Sequence, residues 1–106
     1  MEPGDLKAFK EIEMEVVKLV STYIEANGPA YIDGIRGFGE SELEHILRIG
    51  TQIMLNHWGL APYPPGGFVQ CFLDNKLVET FAKADHINTK AIRFYVMMMS
   101  NLQYPF

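Results

Sequence analysis

Three histidines are the residues of this chain best suited to bind a metal ion or to act as a general base: His45, His57 and His86. His45 and His57 are twelve positions apart, which places them about 120° from each other around a helix. They therefore do not share a helix face, and none of the three belongs to an HxxxH pair. This spacing predicts neither a metal site nor a cofactor.

The single cysteine, Cys71, is the one thiol nucleophile that the sequence offers. It stands between Phe68 and Phe72, where a free cysteine usually behaves as a small buried apolar residue, although a pair with a distant histidine stays open. Glu42 and Glu44 could act as paired carboxylates, but their pattern is typical of a helix start. We therefore predict no catalytic site and expect a protein that is not an enzyme.

A glycine pair, Gly66 and Gly67, directly precedes a predicted helix whose first backbone N–H groups could hold an anion. Three later cationic side chains could complete such a site: Lys76, Lys83 and Arg93. Lys76 and Lys83 are seven positions apart and would share a face of one continuous helix. The phosphate-binding motif GxxxxGK[ST] is absent, however, and no strand is predicted before the turn. We favour a structural turn and keep an anion or nucleotide site as the alternative.

Aromatic and methionine residues are abundant, and they offer a candidate protein interface. The run from Met97 to Met99 covers every direction of one helical turn, so at least one of its side chains is expected to leave the core. The alternatives are that all of these residues pack inside, or that a homo-oligomer covers them. The candidate interface residues are Glu40, Glu42, Glu44, Trp58, Phe94, Tyr95, Met97, Met98 and Met99.

The elements that must position these residues are predicted from apolar spacing and from helix start and stop signals. Apolar residues recur at intervals of three and four over residues 5–27, 42–58, 67–84 and 88–102, which predicts four helices. A Gly-rich loop is expected at 28–39, with a short extended piece at 30–32, and a Pro/Gly turn at 59–67. The prediction is an all-α fold, a compact bundle of about four helices in one domain covering residues 1–106.

Specific end signals set these boundaries. Gly28 and Pro29 should end the first helix, because glycine adopts the left-handed conformation and proline cannot continue the helix. Ser41 and Glu44 should begin the second helix as a capping box, with Ser41 as the N-cap. Phe68, Phe72, Leu73, Leu77, Phe81 and Ala84 should form the buried face of the third helix. Asp85 or Asn88 should cap the fourth.

Charge and composition limit the remaining possibilities. The net charge is −4, and it is uneven: residues 1–67 carry ten acids and five bases, whereas residues 68–106 carry three acids and four bases. Direct binding to nucleic acid is therefore not expected. The longest apolar stretch, residues 94–99, is too short to span a bilayer. The acidic N-terminal stretch does not read as a signal peptide, and one cysteine fits a reducing compartment, so we expect a cytoplasmic protein.

Residues 64–101 resemble small proteins encoded by tailed bacteriophages and prophages. The shared pattern is P-P-G-x-F, N-x-L, A-D-x-x-N and an apolar helix that ends near an asparagine. In this chain its residues are Pro64, Pro65, Gly66, Phe68, Asn75, Leu77, Ala84, Asp85, Asn88 and Asn101. The common ending of aromatic-Asn-x-x-Pro is replaced by Met99-Ser100-Asn101-Leu102. The resemblance implies no known activity and no catalytic residues, and its motif residues are typical of helix ends and turns.

The resemblance implies a phage accessory protein that works in the cytoplasm of the host cell. Our leading hypothesis is that it binds and inhibits or redirects a host protein, as anti-CRISPR proteins do. The partner could be a nucleic-acid-binding immune complex, because an acidic surface competes well for a basic partner. One alternative is a sponge that sequesters a cyclic nucleotide immune signal through Gly66, Gly67, Lys76, Lys83 and Arg93. Another is a role in phage assembly.

Overall fold

The longest helix of the molecule, α1, spans Pro3–Tyr31 and includes Pro29 in its last turns. The computed structural model describes the backbone of residues 3–106 and the side chains of residues 8–106. Within that part, four more α-helices follow: α2 (Glu40–His57), α3 (Gly67–Leu73), α4 (Leu77–Lys83) and α5 (His86–Asn101), with a short 3-10 turn at Ile35–Gly37. The described residues contain no strand, so the predicted all-α class is confirmed, while the count of four helices is wrong.

Helices α1, α2 and α5 pack against one another and enclose the core. Val16 and Val20 contribute from α1, Ile46 and Ile53 from α2, and a run of large side chains from α5. Helix α3 packs on α2 and α4, and its Phe68 and Phe72 rings contact Tyr95 of α5 edge-on at centroid distances of 6.1 and 6.2 Å. Helix α4 packs mainly on α3, at the outside of the bundle.

The end of α1 differs from its prediction. Gly28 and Pro29 do not stop the helix, and of the extended piece expected at 30–32, residues 30 and 31 are helical instead. The Ile32 N–H donates to the Gly28 carbonyl over 2.8 Å, and the Ile32 side chain is buried. Gly28 serves close packing rather than a left-handed turn, because a Cβ there would approach Cδ1 of Ile35 to 2.8 Å. The left-handed residue is Gly34, with φ of 70°.

The start of α2 lies two residues earlier than the sequence pattern indicates. Gly39 is the N-cap, not Ser41, and the carboxylate at the third helical position is Glu42, not Glu44. The Gly39 N–H donates to Oε2 of Glu42 over 3.0 Å, as does the Ser41 hydroxyl over 3.1 Å. Hydrogen bonds from its own backbone N–H and from Ser41 hold the pKa of the Glu42 carboxyl below its usual value.

The predicted third helix, 67–84, is two helices, because the chain turns at residues 74–76. Asn75 takes a left-handed conformation with φ of 59°. The Lys76 N–H donates to the Cys71 carbonyl and the Asn75 N–H to the Phe72 carbonyl, which is the hydrogen-bond pattern of a Schellman C-cap. Helix α4 therefore points in a new direction, and Leu77 and Phe81 no longer continue the buried face of α3. Both are exposed, contrary to the prediction.

Helix α5 begins at His86 with Asp85 as its N-cap, which decides between the two predicted caps. The Asn88 N–H donates to Oδ1 of Asp85 over 2.7 Å. The Asn88 side chain instead lies in the core, where its Oδ1 accepts a hydrogen bond from the Tyr95 hydroxyl over 2.7 Å. Burial of the Tyr95 hydroxyl, together with the charge of Asp85, raises the Tyr95 pKa, so this residue is a neutral donor at physiological pH.

Candidate functional site

The predicted interface on α5 is largely interior. Phe94, Tyr95 and Met98 are fully buried, so they offer no surface to a partner. Met97 and Met99 are half-buried, which fits the expectation that the methionine run could not pack entirely inside. Helix α5 carries large apolar side chains because it packs between α1 and α2 in the centre of the bundle. These side chains do not form an exposed apolar strip.

The other predicted interface residues lie at the surface or close to it. Glu40 and Glu44 are exposed at the start of α2, whereas Glu42 is half-buried and engaged in capping. Trp58 is half-buried, and its ring meets that of Tyr104 edge-on at a centroid distance of 6.0 Å. An acidic surface at the start of α2 is therefore available, but it is not continuous with an apolar strip on α5.

The structure brings together only some of the residues of the predicted anion site. Lys83 lies beside Gly67, since a Cβ added to Gly67 would lie 3.6 Å from the Lys83 Nζ. Lys76 is the N-cap of α4 and not part of a continuous helix with Lys83, so the shared helix face that the sequence predicted does not exist. The Arg93 guanidinium lies over the Tyr31 ring, 5.3 Å from its centroid. Helix α3 has only seven residues, which gives its start little dipole.

A ridge of three large apolar side chains, which we call the α4 ridge, consists of Leu77, Val78 and Phe81. Their exposed fractions are 69%, 77% and 47%. The one buried residue of this helix is Thr80, whose hydroxyl donates to the Lys76 carbonyl over 2.6 Å. Helix α4 thus turns a threonine inward and its apolar side chains outward, the reverse of an ordinary surface helix. This ridge was not predicted, because the sequence pattern did not indicate that the chain turns at Asn75 and ends α3 there.

A cleft of about 570 Å³ lies between α1 and α2, and we call it the α1–α2 cleft. Apolar residues of both helices and of the following turn form part of its wall: Phe9, Val17, Leu47, Leu55, Ala61 and Tyr63. Polar and charged residues form the rest: Glu13, Ser41, Glu44, His45, Arg48, Thr51, Gln52 and Asn56. Such a mixture of apolar wall and convergent polar groups is typical of small-molecule sites.

His45 joins the cleft wall to the start of α5. Its Nε2 lies 2.7 Å from Oδ2 of Asp85, and its Nδ1 lies 2.9 Å from Nη2 of Arg48. A guanidinium can only donate, so Nδ1 accepts and Nε2 carries the proton that is donated to Asp85. Both ring nitrogens are engaged, and His45 has no free lone pair to act as a base. The two residues lie 40 positions apart, so no local motif could have revealed the pair.

The motif residues of segment 64–101 have structural partners of their own. Asn75 forms the turn before α4, Asp85 caps α5 and Asn88 binds Tyr95. The Asn101 side chain donates to the Tyr23 hydroxyl over 3.1 Å and so ties the end of α5 to α1. Four of the motif's polar positions thus stabilise turns, helix ends and the core.

No protein-family model matches the chain, and neither the curated proteins nor the solved structures contain a match. Among the residues that the structure describes, no three His, Cys, Asp or Glu side chains are grouped to hold a metal ion. In the same part of the chain, no helix combines the length and the apolar character needed to cross a bilayer. Cys71 is buried in α3, as its position between two phenylalanines predicted.

Proposed function

We propose that this protein acts by binding another protein, and that the α4 ridge is the contact surface. With the phage-like pattern of residues 64–101, the proposal is a phage accessory protein that binds a host protein and inhibits or redirects it. The observation that carries the proposal is the reversed orientation of α4, which exposes Leu77, Val78 and Phe81 and buries Thr80. Full burial of such a side chain contributes roughly 1.5–3 kcal/mol, so the ridge holds a large driving force for association.

The spacing of the ridge favours an apolar groove on the partner. Val78 follows Leu77 directly, and Phe81 lies one turn further along the same helix, so the three form one short edge. A short helix that places such anchors in a groove is a common mode of protein recognition. The charges of residues 74–83 cancel, because Asp74 and Glu79 balance Lys76 and Lys83. The ridge itself therefore selects a partner by shape and apolar area rather than by charge.

The acidic half of the chain supports a basic partner. Residues 1–67 carry ten acids and five bases, a net charge of −5, and Glu40 and Glu44 are exposed in that half. A field of this sign attracts a basic protein over distances comparable with the Debye length, about 8 Å at physiological salt. A host protein that binds nucleic acid through a basic surface, such as an immune complex, has the matching charge.

The test is recovery of one host protein by the tagged chain from a host lysate, with Val78→Glu as the disrupting variant. Met14 is also an exposed apolar residue, 61% exposed on α1, so Met14→Glu is the matched control. We expect the wild type and Met14→Glu to recover the same protein, and Val78→Glu to recover at least about tenfold less, the loss expected from about 1.4 kcal/mol of binding energy. Circular dichroism verifies that both variants fold.

Two results would contradict the proposal. Equal recovery of that protein by Val78→Glu would mean that the ridge is not the contact surface. A dimer of the purified wild type in light scattering, dissociated by Val78→Glu but not by Met14→Glu, would assign the ridge to a second copy of the chain. Reconstitution of the recovered partner from purified proteins, with the same order of affinities, completes the test.

A further inference from the structure

We propose that the α1–α2 cleft is a binding site for a small organic amine with an apolar body, with Glu13 and Glu44 receiving the ammonium group. The site is separate from the α4 ridge, so the proposal does not depend on the proposed function. It rests on the size of the cleft, the composition of its wall and the balance of charge along it.

Size and apolar wall fit a small molecule. The volume of about 570 Å³ lies within the range of roughly 300–1,000 Å³ found for small-molecule sites. Phe9 and Tyr63 stand at one part of the wall, with their rings edge-on at a centroid distance of 6.2 Å. Val17 and Leu55 add aliphatic surface from the two helices. An aromatic or branched aliphatic body would replace water against this surface.

The charges favour a cation. Glu13 and Glu44 line the cleft from opposite helices, and neither takes part in an ion pair among the described side chains. The single cationic residue of the wall, Arg48, directs one of its N–H groups to the Nδ1 of His45. Apart from His45, whose Nδ1 faces that N–H group, the wall carries two carboxylates against one guanidinium. An ammonium group would neutralise the excess carboxylate and gain charge-assisted hydrogen bonds.

Neutral acceptors in the wall support the same ligand. The Asn56 amide donates to the Gln52 backbone carbonyl over 2.8 Å, which leaves the Asn56 side-chain oxygen as an acceptor. The Thr51 hydroxyl likewise donates to the Leu47 carbonyl over 2.7 Å and keeps acceptor capacity. An ammonium group has three donors and no acceptor, so these groups complement it. A carboxylate ligand would meet Glu13, Glu44 and these acceptor oxygens, with Arg48 as its one cationic partner in the wall.

The experiment is a titration of the full ¹⁵N-labelled chain, followed by amide chemical shifts, with three probes of matched size. The probes are 2-phenylethylamine, 2-phenylethanol and 3-phenylpropionate. We expect the amine to bind about tenfold more tightly than the alcohol, which is the effect of about 1.4 kcal/mol of charge-assisted binding, and the acid to bind most weakly. The shifted amides should be those of the cleft, including Thr51, Gln52 and Tyr63.

Variants separate the carboxylate effect from the apolar one. The double variant Glu13→Gln, Glu44→Gln should weaken amine binding about tenfold and leave alcohol binding unchanged. The matched control is Glu25→Gln, an exposed carboxylate of α1 outside the cleft wall, which should leave all three affinities unchanged. The dispersion of the amide spectrum shows directly that each variant is folded.

Several outcomes would overturn the proposal. They are equal binding of amine and alcohol, tighter binding of the acid, amide shifts centred on another part of the surface, and no saturable binding of any probe. An equal loss of amine binding in Glu25→Gln would also overturn it, because the effect would then come from the overall charge of the chain.

Discussion

Helices α4 and α5 follow each other in the chain, and both are rich in large apolar side chains, yet they lie at opposite extremes of exposure. Helix α5 has 16 residues and packs along α1 and α2, so Phe94, Tyr95 and Met98 are enclosed. Helix α4 has seven residues and packs mainly on α3, so its apolar side chains face outward. Apolar content alone does not decide burial, because length and neighbours set which face can be covered.

The ends of a two-turn helix also determine its orientation. The Schellman turn at Asn75 fixes where α4 begins, and the extended backbone at Ala84 and Asp85 fixes where it ends. With both ends set in this way, Leu77, Val78 and Phe81 face outward. Helix α5 is therefore positioned by the packing of its apolar face, whereas α4 is positioned by the conformation of its two ends. Three comparisons between variants test that difference.

The largest expected effect is the difference between Phe94→Ala and Phe81→Ala, the same change in the two helices. Phe94 is fully buried, so its truncation leaves a cavity and should lower the free energy of unfolding by about 3–5 kcal/mol. Phe81 is 47% exposed, so its truncation should change stability by no more than about 1 kcal/mol. Urea unfolding followed by circular dichroism measures both.

Similar losses in the two variants would mean that α4 is covered in solution. A dimer that buries the ridge would produce that result, and it would make the stability of the wild type rise with protein concentration. The concentration series therefore distinguishes an exposed ridge from a ridge buried between two copies of the chain.

The all-α fold class and the positions of most helices could be predicted from apolar spacing, because that signal is local and repeats along the chain. The turn at Asn75 was missed for a physical reason: the apolar spacing of residues 68–81 continues across it, and asparagine adopts the left-handed conformation less often than glycine. Gly28 was misjudged in the opposite sense, since it lies inside α1 and packs closely against the Ile35 side chain, seven positions later. Contacts of that kind depend on the tertiary fold.

The candidate sites were less predictable than the helices. Asp85 was one of two residues predicted to cap α5, but its bond to His45 joins residues 40 positions apart and could not be predicted from local spacing. The α1–α2 cleft combines residues from two helices and the Pro/Gly turn, so its composition follows only from packing. Two of the three residues of the α4 ridge, Leu77 and Phe81, were predicted to lie on a buried face, because the helix break that exposes them was not foreseen.

The second substitution tests whether α5 is held by a specific polar contact as well as by packing. Tyr95→Phe removes the hydroxyl that donates to Asn88 and leaves the Asn88 oxygen buried without that partner. We expect a loss of about 1–3 kcal/mol in the free energy of unfolding, the cost of an unsatisfied buried group. The matched control is Tyr104→Phe, because Tyr104 is exposed and should tolerate the change within about 0.5 kcal/mol.

An equal and small effect in both tyrosine variants would contradict this prediction. It would indicate that water reaches Asn88, and that the centre of α5 is less enclosed than its contrast with α4 requires. The double variant Tyr95→Phe, Asn88→Leu gives a further measure, since replacing both polar partners by apolar groups should recover part of the lost stability.

The smallest expected effect concerns the turn that separates α3 from α4. Asn75 has φ of 59°, a conformation that costs a residue with an ordinary side chain roughly 1–2 kcal/mol. Asn75→Ala should therefore lower the free energy of unfolding by about 1 kcal/mol, whereas Asn75→Gly should be neutral or slightly stabilising, because glycine is the preferred residue at this cap. If Asn75→Ala is instead as stable as the wild type and gains helical circular dichroism signal, residues 67–84 can form one continuous helix. The α4 ridge would then be exposed only while Asn75 holds the turn.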